Sequence, residues 1–191
     1  SIKLMNLKHA VVTSVDRDDL SDGGAAHWGA TIRAIKTLNP NTTLEVLIPD
    51  FDGRTELIDV IIAEKPDIIS HNLETVRSLT PGIRTKAKYD TSLSVLAHIA
   101  VNSVVAKTGI MLGLGETEEE ILALMDDVLK NGCSVLTIGQ YMQPSRHNIS
   151  VKEYITPSKF EEYKQIGLKK GFRIVESAPL VRSSYCAENH V

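Results

Sequence analysis

Five short stretches carry residue types that bind or transform small polar molecules. They are residues 13–24 (TSVDRDDLSDGG), 71–74 (HNLE), 107–116 (KTGIMLGLGE), 140–146 (QYMQPSR) and 182–186 (RSSYC). The first packs four aspartates, an arginine and two glycines into twelve residues. It reads either as a solvated loop with Asp22 capping the next helix or as a polar ligand loop, and it lacks the ligand spacing of a hard-metal site. The second offers an imidazole, an amide and a carboxylate, which suits a ribose or an amino-acid head group. An exposed helix start with Asn72 as N-cap is the alternative. In the third, Gly109, Gly113 and Gly115 allow close approach to the backbone because no Cβ intervenes. No Gly-Lys-Ser/Thr signature is present, and Glu116 with Glu118–Glu120 would repel an anion, so a neutral or cationic ligand fits better. The fourth reads as a substrate-binding loop or a plain surface loop. The fifth has no G-x-S-x-G elbow around its serines. The histidines show no metal-binding spacing, and His27 and His98 fall within helical segments as structural residues.

The elements that must position these stretches follow from hydrophobic patterning. Apolar runs at 10–15, 44–48, 67–70, 107–112, 135–140 and 173–177 lack strict polar alternation, as expected of strands buried on both faces. Between them lie helical segments near 25–38, 55–63, 90–101, 118–130 and 158–170. Thr117 with Glu120 has capping-box spacing; Thr156-Pro157 and Gly171 bracket the last helix, and Asn39-Pro40 ends the first. Residues 1–8 read as the last turns of an amphipathic helix. The repeated strand–helix alternation predicts a parallel sheet with right-handed crossovers. Polar residues follow every strand, rather than one switch point, which favours a barrel-like active face over an open doubly wound sheet.

Composition narrows the function classes. The 191 residues are 42% hydrophobic, enough for a sizeable core, and 21 Lys+Arg against 24 Asp+Glu leave a net charge of -3. That balance offers no broad basic surface, so neither a nucleic acid nor a membrane is an expected partner. No run approaches the ~20 apolar residues of a membrane span. Two cysteines, Cys133 and Cys186, suggest a reducing compartment, hence a cytoplasmic location, and fall short of an all-cysteine cluster. Cys133 reads as a small buried residue.

Taken together and in order, TSVDRDDLSDGG, HNLETV, KTGIMLGLGET, LTIGQYMQPS and APLVRSSY resemble the lipoyl synthase family of the radical S-adenosylmethionine superfamily, from about Lys8 to Glu188. The resemblance implies a partial TIM-like (βα)6 barrel of α/β class over residues 1–191, truncated before its first strand, with residues 173–191 as a C-terminal segment. It implies two [4Fe–4S] clusters and S-adenosylmethionine. It also implies insertion of two sulfur atoms, at C6 and C8 of an octanoyl chain on a lysine of a carrier domain, with an auxiliary cluster as the sulfur source. The expected partners are octanoylated carrier domains, of the glycine cleavage H protein or 2-oxoacid dehydrogenase E2 type, and a reducing electron donor.

Residue by residue, Ser184 matches the family's serine ligand of the auxiliary cluster and Arg182 the arginine supporting it. Asn72 and Glu74 match the pair facing S-adenosylmethionine, Lys107 its methionine carboxylate, and Ser14 and Asp16 the segment near its amino group. Gly109, Gly113 and Glu116 fall in the strand and turn beside adenosine, with Met111 where an isoleucine is common; Gln143 and Arg146 fall in the substrate loop. Asn148 and Ser150 stand where the family usually has histidine and proline. The family's C-x4-C-x5-C and C-x3-C-x2-C motifs are not in this sequence, so these residues alone are expected to be inactive and, with an unpaired strand edge, prone to aggregate. Two other readings remain: a cluster-free barrel enzyme using Glu74, Asp16 and a Schiff-base Lys107, and a non-catalytic module that binds the carrier domain.

Overall fold

Strands whose side chains alternate between two buried faces need covering on both, and helices cover the outer face here. The computed structural model describes residues 1–191. A single turn α1 (Ile2–Met5) precedes β1 (His9–Thr13), α2 (Ala25–Leu38), β2 (Thr43–Leu47), α3 (Thr55–Ile62) and β3 (Ile68–Ser70). Then come α4 (Thr80–Ile83), α5 (Tyr89–Val101), β4 (Val105–Leu112), α6 (Glu118–Lys130), β5 (Val135–Gln140), α7 (Pro157–Lys170) and β6 (Ile174–Ser177). All six strands are parallel and lie in sequence order, β1 to β6. This is an α/β, partial TIM-like arrangement in which β1 pairs only with β2 and β6 only with β5.

On the helix side, Leu44, Val46, Ile69, Ala106, Ile110, Leu112, Leu136, Ile138 and Val175 join the helices in one apolar core. Side chains of alternate residues point the other way, and there the inner face is polar: Glu45, Ser70, Lys107 and Thr137 are all buried. Cys133 sits in the core, as its setting in the sequence suggests.

Local signals place most boundaries. Thr117 accepts from the Glu120 N–H while Glu120 accepts from the Thr117 N–H, a complete capping box at α6. Thr156 caps α7, and Gly171 ends it at a φ of 118°. Asp22 binds the N–H groups of Gly24 and Ala26 at the start of α2. Three features differ from expectation. The opening helix is only one turn, because Leu4 and Met5 find no surface to cover and stay exposed. β1 stops at Thr13, since β2 ends opposite it at Leu47. No helix starts at Asn72; the chain there continues the sheet through a bridge between Glu74 and Ile110.

Candidate functional site

The site is built on the turn after β3. His71 is buried, and burial pushes its imidazole down to about 4, so the ring is neutral at physiological pH. Its two nitrogens lie 2.9 Å from the Ile48 carbonyl and 2.9 Å from Ser92 Oγ. A neutral ring satisfies both contacts by donating to Ile48 and accepting from Ser92. Backbone bonds finish the job: Leu73 N–H donates to Thr108 Oγ1, Glu74 N–H to the Gly109 carbonyl, and Met111 N–H to the Glu74 carbonyl. Arg84 donates to the Asn72 carbonyl from outside. His71 thus shapes the turn, and Asn72 and Glu74 are what it presents.

Asn72 Nδ2 donates to Glu74 Oε1 at 3.2 Å and to Ser183 Oγ at 3.1 Å. Burial raises the Glu74 carboxyl above the usual range, against the opposing pull of Asn72 and Arg84. Its backbone φ of 68° is left-handed, a strained setting for a non-glycine residue that aims the side chain toward the interior. These two residues line a cavity of about 320 Å³ with Ser14, Asp16 and Arg84. They also line a smaller one of about 90 Å³ with Gly109, Thr137, Gly139, Arg182 and Ser183. Gly109 matters by lacking a side chain: a Cβ there would lie 2.6 Å from Thr137 Oγ1 and 3.0 Å from Asn72 Oδ1.

The structure therefore brings together Ser14, Asp16, Asn72, Glu74, Gly109 and Arg182. Other candidates stand apart. Lys107 lines neither cavity; it is buried with Glu45, at 2.8 Å from each carboxylate oxygen, and donates to the Ser183 carbonyl at 2.5 Å. Held that way, it has no open path to a carbonyl substrate, and the Schiff-base reading loses its nucleophile. Gly113, at a φ of 97°, accepts at its carbonyl from the Lys152 N–H. The Glu116 carboxylate caps the N–H groups of Gly113 and Leu114. Both residues hold a turn together. Gln143 and Arg146 lie on the exposed loop after β5, where Gln143 Nε2 donates to the Asn148 carbonyl. Ser184 is exposed on the tail, beside the Asn72-bound Ser183. His98 pairs with Asp59 at 2.6 Å on the outer helices, a structural role.

Sequence reasoning missed Glu45, Ser70 and Arg84. Glu45 was findable: it is the one charged residue among the apolar positions of TLEVL, and a carboxylate mid-strand needs a buried partner.

As for cofactors, the donor set of these residues does not fit a [4Fe–4S] cluster. Cys133 faces the core, donates to the Ala106 carbonyl and has its thiol pushed up to about 12 by burial. Cys186 is the only other thiol, and no three His, Cys, Asp or Glu side chains converge. A flat ligand with polar substituents does fit: a bare glycine strand beside an amide and a half-buried carboxylate suits a nucleoside carrying an amino-acid group.

A radical SAM superfamily profile matches residues 2–128. A lipoyl synthase of Parabacteroides distasonis is 68% identical over the whole chain, which spans 68% of that protein. One from Porphyromonas gingivalis is 67% identical, again over all of this chain and 68% of its own length. The chain belongs to the lipoyl synthase family. Among solved structures, Streptococcus suis SuiB bound to S-adenosylmethionine superposes with a TM-score of 0.68, at 10% identity, over 88% of this chain and 39% of SuiB. A domain of the Bacteroides vulgatus pyruvate-formate lyase-activating enzyme gives a TM-score of 0.60, at 12% identity, over 87% of this chain and 98% of that domain. These likenesses concern the fold alone, a six-stranded parallel arc flanked by helices. The chain spans about two thirds of the length of its lipoyl synthase relatives. No helix is long and apolar enough to cross a membrane.

Proposed function

We propose that this chain forms the S-adenosylmethionine cavity and the serine-bearing tail of an enzyme that inserts two sulfur atoms into a protein-bound octanoyl group, giving the lipoyl cofactor. The convergence of Asn72, Glu74 and bare Gly109 on one cavity, with Ser183 of the tail bonded to Asn72, carries this reading. S-adenosylmethionine, when bound, supplies the radical that removes hydrogen from C6 and C8 of the octanoyl chain.

The residues of this chain bind and orient. Glu74 and Asp16 would meet the sulfonium and amino group with opposite charge, Asn72 and Ser14 would bond its polar edges, and Gly109 would leave room for the adenine-bearing half. Gly113 and Glu116 act through the turn they stabilise. Lys107 faces the methionine carboxylate only if its bond to Ser183 is exchanged. Ser184 would supply an oxygen ligand to an auxiliary cluster whose thiolates come from outside these residues, Arg182 would support it, and Gln143 and Arg146 on the exposed loop would meet the octanoylated carrier domain. The carrier is an H-protein or E2-type domain, the enzyme is cytoplasmic, and an external electron donor is required.

The thiolates of both clusters are not among these 191 residues, so the chain on its own is inactive. Two measurements test the proposal. S-adenosylmethionine should bind the full-length protein by calorimetry, and Asn72→Ala should weaken it on the order of tenfold, the loss of one or two hydrogen bonds to a charged ligand. Iron and sulfide analysis after anaerobic reconstitution should find no stoichiometric cluster on the 191 residues alone. Unchanged affinity in the variant, or two clusters on the isolated chain, would contradict it.

A further inference from the structure

A lysine inside a barrel is costly unless its charge is matched and its N–H groups are used. All three donors of Lys107 are accounted for: two bonds at 2.8 Å to the Glu45 carboxylate and one at 2.5 Å to the Ser183 carbonyl. Glu45 Oε1 also accepts from Ser70 Oγ at 2.5 Å. Three neighbouring strands, β2, β3 and β4, therefore combine to hold out one ammonium N–H, and it is taken by the backbone of the tail. The other inner-face hydrogen bond to Ser183 comes from Asn72, which donates to its hydroxyl at 3.1 Å. At its far end the tail is fixed again, where His190 is buried and its carbonyl accepts from Arg173. Between these anchors Ser184 and Tyr185 remain exposed.

We propose that the Glu45–Lys107 pair is a positioning device that seats the C-terminal tail at the Ser183 carbonyl and so fixes where Ser184 is presented. A carbonyl bond reads the backbone and not the side chain, which suits a residue whose neighbour must stay free to bind something else. Asn72 gives the seat a second function. Its amide is shared between Glu74 in the cofactor cavity and Ser183 in the tail, so filling the cavity and seating the tail are linked through one side chain. This differs from a role for Lys107 as a cofactor ligand. It rests on the proposed function only for what Ser184 does.

Hydrogen exchange on the full-length protein tests the seat without clusters or turnover. The amides of Tyr185, Asn189 and His190 are bonded within the tail and report on its order. Removing one charge alone leaves the other buried and unpaired, so the informative variant is Glu45→Gln/Lys107→Met, which removes both. In the protein free of S-adenosylmethionine, tail exchange should accelerate on the order of tenfold or more, with amides of β2 to β5 unchanged. The length-compensated pair Glu45→Asp/Lys107→Arg should restore slow exchange, which mere filling of space would not explain. Unchanged tail exchange in the uncharged pair would overturn the proposal. So would acceleration spread evenly over the barrel, or failure of the charged pair to recover protection.

Discussion

At the scale of single residues, the site depends on a buried carboxyl and on a missing side chain. Glu74 carries a carboxyl that burial holds above its ordinary value. Such a group binds its proton more tightly folded than unfolded, so it stabilises the fold fully only below the ordinary carboxylate pKa, and that stability is lost as pH rises through the raised value. Glu74→Gln should therefore raise the thermal midpoint of the ligand-free protein near neutral pH while weakening S-adenosylmethionine binding. Calorimetry at pH 7.5 checks both signs, and a variant that is less stable or binds equally well would refute the role. Gly109→Ala places a methyl 2.6 Å from Thr137 Oγ1. Overpacking of that kind costs about 1–3 kcal/mol, and urea unfolding should show a loss in this range together with lost binding.

At the scale of elements, capping and turn chemistry fix where helices begin, and helix starts fix the loops that end at the site. The α6 capping box follows directly from the Gly113–Glu116 turn, in which the N–H groups of Gly113 and Leu114 donate to Glu116 and tie the helix start to the end of β4. Thr117→Ala should cost about 1 kcal/mol in urea unfolding, with little change in cofactor affinity. A large loss of affinity would mean that the turn, and not the cap alone, is set by Thr117. The tail shows the opposite dependence. It crosses close to Gly139, where a Cβ would lie 2.3 Å from the Val181 carbonyl, so its path is set by a missing side chain on β5.

At the scale of the whole molecule, buried neutral histidines couple the fold to pH. His71 is held at about 4, well below its ordinary value, so below about pH 6.5 the unfolded chain takes up a proton that the native state refuses. Stability should fall as pH drops from about 6.5 to 4, by about 3 kcal/mol for this one group. His190, also held at about 4 by burial and by nearby Lys107, His9 and Arg173, adds in the same direction. Denaturant midpoints of the native chain and His71→Gln, compared across that window, should converge as the pH falls; parallel curves would exclude His71 as the source.

The sequence by itself determined the strand–helix alternation, every long helix to within a residue or so, and the stretches that hold the candidate site. Apolar period, caps and glycines are local, and each is written within a few residues. Motif order also determined the family, because five spaced segments constrain one another. Only the tertiary structure decided which of those residues meet. Lys107 reads as an active-site cation in KTGIMLGLGE, yet Glu45, sixty-two positions away, claims it, and the tail claims what remains. Gly113 and Glu116 match cofactor-side positions of the family, and only the structure shows the turn they close, with partners at Lys152 and within the loop itself. A buried charge must find its complement somewhere. Which strand delivers it depends on register, and register is a property of the assembled sheet that no single segment contains.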